Sequence, residues 1–136
     1  MIELRSDVRV PEISLKQLKS IAQILLAETG REQDGLSILL TDDARIRELN
    51  RTHRGQDKAT DVLSFPGSCD VAISVETARR QAAAYDAPLQ NEINRLLIHG
   101  ILHIQGHDHH EAAERAAMET EERRLAGAIA MPWPYD

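Results

Sequence analysis

A chain of 136 residues fits one compact domain, and at that length an ordinary hydrophobic core is feasible without covalent staples. Cys69 is the only cysteine, which excludes an internal disulfide, and no apolar run approaches the roughly twenty residues that a membrane span needs. With no secretory leader visible at the N-terminus, a reducing cytoplasm is the expected compartment, with no membrane and no disulfide partner. The net charge of −6 opposes a polyanionic ligand on average. Charge is nevertheless unevenly placed: Arg45, Arg47, Arg51, Arg54 and Lys58 lie close together, while Asp108, Glu111, Glu114, Glu119, Glu121 and Glu122 load the final third. A basic groove on an acidic protein is permitted, and a solvated helix face is the plainer alternative.

In chain order, Ile2 and Leu4 alternate with polar neighbours and predict a first strand over residues 2–5. Ser14 caps a predicted helix to about Glu28, with Leu15, Leu18, Ile21, Ile24 and Leu25 at helical spacing and Gly30 as its stop. Leu36–Leu40 reads as a buried strand, and Thr41, Asp42 and Asp43 offer an N-cap for a short helix carrying Ile46 and Leu49. Thr60–Phe65 is strand-like until Pro66 and Gly67 break it, and Asp70–Ser74 makes the next strand, so a hairpin is the economical pairing. Ser74 precedes a helix of about a dozen residues, Pro88 opens a more apolar one that Gly106 should end, and a last helix runs from about His110 to before Pro132. No repeat, linker or low-complexity tract appears. The sum is a single domain over residues 1–136 of α+β class: a small mixed β-sheet with about five helices packed on it.

The segment His99–His110 reads HGILHIQGHDHH and holds five of the six histidines. His99 and His103, four apart, project from one face of a helix about one turn apart and can reach a single cation. Around that helix Leu89, Ile93, Leu96, Leu97, Ile101 and Ile104 share a stripe, while Ile98 and Leu102 lie away from it. The helix is apolar almost all round and so central. Imidazoles inside it need polar partners, because an unpaired buried polar group costs on the order of 1–3 kcal/mol. Gly106 allows the chain to fold back after the helix, so that His107, His109 or His110 could return a third nitrogen to the same face. Spacing does not choose among them. Three imidazoles suit Zn²⁺, with Ni²⁺, Co²⁺ or Cu²⁺ able to take the same ligands, and leave the open fourth position of a catalytic site.

HGILHIQGHDH resembles the HGxLHLxGYDH signature of the YbeY endoribonucleases. LNRTHRGQDKATDVLSFPG is similar to that family's LNxxYRxxDxPTDVLSFP block, and DVAISVETARRQA to its GDIxISxExAxxQA stretch. The matches run in order over roughly residues 45–110. Three positions depart: His107 stands for the usual Tyr, Ala59 for Pro, and Cys69 for the Gly that often precedes the Asp. The resemblance implies His109 as the third ligand of one zinc ion, with Arg54 as a catalytic residue. It implies a metal-dependent, single-strand-specific endoribonuclease that processes small-subunit ribosomal RNA and serves ribosome quality control, with the small ribosomal subunit as partner. Asp70 and Glu92 are the carboxylates expected to support the ligand histidines or a water.

Two other functions stay open at this point. HxxxH is also the core of the HExxH metallopeptidase motif, but Gly100 occupies the place of the glutamate base. A non-catalytic, zinc-containing ribosome assembly factor would need the same fold without turnover. Trp133, near the C-terminus, is expected to cover a core edge rather than stack on a base.

Overall fold

The strands Ile2–Ser6 (β1) and Leu36–Thr41 (β2) pair in parallel, which requires a crossover between them. Leu15–Glu28 (α1) supplies it. Its start is capped by the Ser14 hydroxyl, which accepts from the Gln17 N–H, and Gly30, at φ 71°, turns the chain out of it. Asp43–Arg54 (α2) follows β2, then Val62–Phe65 (β3) and Asp70–Ser74 (β4) form the expected hairpin. Val75–Ala84 (α3), Leu89–Ile104 (α4) and Ala112–Ala128 (α5) complete the chain. The computed structural model describes residues 1–108 and 110–135, and within them the strands form one sheet of order β1-β2-β4-β3, with only β3 antiparallel to its neighbour. The α+β architecture with a mixed sheet and five helices is the one read from the sequence.

Alternation along the strands divides the sheet into two faces. One carries Leu4, Ile38, Leu40, Val71 and Ile73 and packs with α1 and α4 in the main core. At its centre α4 buries Ile93, Leu96, Leu97, Ile98, Ile101 and Leu102 to 1% exposure or less. That helix is apolar all round because it is surrounded by α1, α3, α5 and two strands. The opposite face carries Leu39, Leu63, Phe65, Asp70 and Ala72 and is covered in part by Ile46 and Leu49 of α2.

The N-termini of α2 and α3 cap one another. Asp43 accepts hydrogen bonds from the hydroxyls of Ser74 and Thr77 and from Arg80, while the Asp43 N–H donates to Glu76 at 2.8 Å. Burial alone would push the Asp43 carboxyl up, and these donors outweigh it, holding Asp43 below the ordinary aspartate range.

In the β3–β4 turn, Cys69 adopts φ 54°, the left-handed conformation that favours glycine. Trp133 covers a core edge, as expected: it packs against the main core and meets the Tyr135 ring edge-on at 5.1 Å.

Candidate metal centre

The C-terminal half of α4 carries the two histidines, and the way that helix ends decides where the chain goes next. The His107 N–H donates to Leu102 O and the Gly106 N–H to His103 O, with Gly106 at φ 99°; this is the paired closing pattern of a helix that stops on glycine. Gln105 donates to Thr29 Oγ1 at 2.8 Å and fastens the turn to the end of α1. Gly106 therefore acts as the stop that the sequence predicts.

His99 and His103 stand together. Their Nε2 atoms are 3.1 Å apart, with the rings 4.6 Å between centroids and inclined at 72°. Two nitrogens at zinc–nitrogen distances of about 2.05 Å in tetrahedral array are separated by about 3.3 Å, so the pair is spaced as two ligands of one ion would be. His99 Nδ1 lies 3.3 Å from Glu122 Oε2 on α5. A carboxylate can only accept, so Nδ1 carries the proton and the Nε2 lone pair faces His103. Behind a metal-bound imidazole such a carboxylate fixes the tautomer and raises ligand basicity. The donor set fits zinc. Among the described residues no third His, Cys, Asp or Glu joins the pair in one metal-sized group, and His109, the ligand implied by resemblance, lies outside the described residues. His107 is half-buried beyond the turn, and His110 is exposed, its Nε2 lying 3.3 Å from Asp108.

The two carboxylates expected beside the histidines are placed elsewhere. Glu92 is fully buried, but it forms an ion pair with Arg95 and accepts from the Tyr135 hydroxyl at 2.8 Å. It thereby anchors the C-terminal segment to α4. Asp70 opposes Ser37 and Phe65 in register and points to the sheet face away from α4, where Oδ2 accepts from Ser68 Oγ at 2.6 Å. Glu122 takes the position expected of them. It has a signal in the sequence: with Met118 and Leu125 it sits at i, i+4, i+7 on the buried stripe of α5, a carboxylate in a core position.

Gly100 faces the sheet. A Cβ there would come within 2.9 Å of Val71 Cγ1 and 3.4 Å of Val62 Cγ2. The residue following the first histidine is thus wedged between helix and strands, where the glutamate of the peptidase motif could not stand.

Arg54, at the end of α2, is exposed and reaches the edge strand. Its Nη2 donates to Ser64 O at 2.6 Å and its guanidinium lies 5.8 Å from the Phe65 ring centroid. The basic run around it is partly neutralised, since Arg45 pairs with Glu48 and Arg47 with Asp57. Among the described residues no helix is long and apolar enough to cross a membrane.

The family model described as endoribonuclease YbeY matches residues 3–130. The chain is 46% identical to the endoribonuclease YbeY of Anaeromyxobacter dehalogenans, with 83% of this chain and 63% of the relative covered. It is 36% identical to that of Rhodopseudomonas palustris strain HaA2 (96% and 75% covered) and 42% identical to that of a Sulfurihydrogenibium species (85% and 82% covered). A Thermotoga maritima protein solved in solution shares the fold at a TM-score of 0.63 and 24% identity, over all of this chain and 96% of that one. By family match and identity over most of its length, the chain belongs to the YbeY endoribonuclease family.

Proposed function

We propose that the protein is a zinc-dependent endoribonuclease that cuts single-stranded RNA, acting in the cytoplasm on small-subunit ribosomal RNA during maturation and ribosome quality control. The observation that carries the chemistry is the His99–His103 pair, with nitrogens 3.1 Å apart and Glu122 behind the first ring. His109, three residues past the Gly106 turn, would complete the ligand set and leave one position open. Zinc bound there would supply a water of lowered pKa or polarise a phosphoryl oxygen.

The chain's own residues account for the rest. Glu122 holds the Nδ1 proton of His99 and so keeps its Nε2 a donor of electrons. Arg54 has five N–H groups, of which one is directed at Ser64 O. The flat guanidinium is always charged and can meet two non-bridging phosphate oxygens as negative charge gathers on them. Its fixed hydrogen bond and the Phe65 ring beneath it restrict the side chain before substrate arrives, which lowers the entropy cost of using it.

The test is cleavage of a defined single-stranded RNA by zinc-loaded protein. His103→Ala and Arg54→Ala variants that keep the parental circular dichroism should lose at least about a hundredfold in rate, the usual scale for removing one stabilising donor at a developing charge. Intact RNA in the presence of folded, zinc-loaded parent protein overturns the enzyme reading, and binding to ribosomal particles without cleavage would establish an assembly factor instead.

A further inference from the structure

The sheet face turned away from α4 is covered only in part. Beside the contact of α2 with Leu63 and Ala72, a cleft of about 560 Å³ opens across all four strands. That volume lies within the roughly 300–1,000 Å³ of pockets that enclose small ligands. Leu39 and Ala72 floor it, His53 and Phe65 wall one side with their rings 5.3 Å apart, and Ser68 and Asp70 line it near the turn. Phe65 is the only phenylalanine of the chain, and it stands half-exposed on an open face. An aromatic ring left in this setting is available to a planar partner.

Three features limit what that partner is. The apolar floor and the Phe65 ring suit a flat π-system. Arg54, next to His53 in sequence, sets a cation 5.8 Å from the Phe65 ring centroid, beside the wall of the cleft, where it can meet a phosphate. Asp70 offers a carboxylate with lone pairs beyond the one that accepts from Ser68, so the polar edge of the partner must donate. The edge strand β3 is shared by both sites: Phe65 faces the cleft, while Val62 borders Gly100, the neighbour of His99.

We propose that this cleft holds a base of the single-stranded RNA substrate, stacked on Phe65 with its N–H edge on Asp70, and that guanine is the base preferred. Guanine presents N1–H and N2–H₂ side by side, a match for two carboxylate oxygens, whereas uracil presents one N–H between two carbonyls. Stacking on aromatics with hydrogen bonding to base edges is how single-stranded RNA is read generally. The inference rests on the reading of the protein as a ribonuclease, with Arg54 held by Ser64 O and the Phe65 ring on the strand that borders the histidine helix.

The probes are 5′-GMP and 5′-UMP, which the protein cannot cleave internally, titrated into the isotope-labelled full chain while the amide resonances of Ser37, Leu39 and Asp70 are followed. GMP should shift them and bind at least fivefold more tightly than UMP. Phe65→Leu, which keeps an apolar side chain against α2, should weaken GMP by about tenfold, within the range for loss of one stacked base. Ser37→Phe, which plugs the cleft from β2, should abolish the shifts. Unmoved resonances at millimolar GMP, equal affinity for UMP, or shifts that arise from concentrating the protein alone (a second copy in the cleft) would each overturn the proposal. A parent protein that cuts RNA but fails this titration strikes down the cleft alone; one that binds GMP here but leaves RNA intact strikes down the nuclease reading instead.

Discussion

Gly100 is the position at which the packing of α4 on the sheet can be tested most directly. Alanine at 100 would gain about 1 kcal/mol from helix propensity. Against this, its Cβ would lie 2.9 Å and 3.2 Å from the two Cγ atoms of Val71, and overpacking of a filled core costs about 1–3 kcal/mol. The sign depends on whether Val71 can yield. It is 1% exposed on the interior strand β4, and a β-branched side chain has little rotational choice. We therefore expect Gly100→Ala to destabilise by about 1–2 kcal/mol, read by urea unfolding, with the melting temperature about 3–8 °C lower. In a Val71→Ala background, itself weakened by lost burial, the same substitution should be neutral or stabilising by up to about 1 kcal/mol, since the clash is gone and the propensity gain remains. Gly100→Ala at or above parental stability, or an equal loss in both backgrounds, would refute the close approach of helix to sheet. Gly100→Glu, which recreates the peptidase motif, should not fold.

The metal centre, the C-terminal segment and the β3–β4 turn each carry a further test. Glu122→Leu should weaken zinc binding by about 10–100-fold in chelator competition, with Glu122→Gln intermediate because its carbonyl still accepts; unchanged affinity in the Leu variant would remove Glu122 from the site. Burial, with Glu92 beside it, pushes the Tyr135 hydroxyl up to about 12 from an ordinary value near 10. The neutral form is thus favoured by folding: its contribution is whole below pH 10 and declines up to about pH 12, so parental stability should fall more steeply over that interval than that of Tyr135→Phe. Parallel curves would count against the Glu92 contact. Cys69→Gly should raise stability by up to about 1 kcal/mol in thermal unfolding, because relief of the left-handed strain at φ 54° outweighs the entropy that glycine adds to the unfolded chain; a loss of stability would place the strain elsewhere.

Much of this protein is local in origin and so could be read along the chain. The period of apolar residues marked α4 as a central helix, Gly106 marked its end, and the i, i+4 spacing put His99 and His103 on one face, since these depend on backbone geometry within a few residues. The Pro66–Gly67 turn likewise announced the β3–β4 hairpin. What tertiary structure decided lies between residues distant in sequence. The parallel placement of β4 beside β2 is set by which faces bury together, and the carboxylate at His99 comes from position 122, 23 residues on. Asp70 and Glu92 looked equally eligible for that place. Strand alternation turned Asp70 to the opposite face of the sheet, and burial beside Arg95 and Tyr135 engaged Glu92. A carboxylate's partner is chosen by packing in three dimensions, which a linear spacing does not encode.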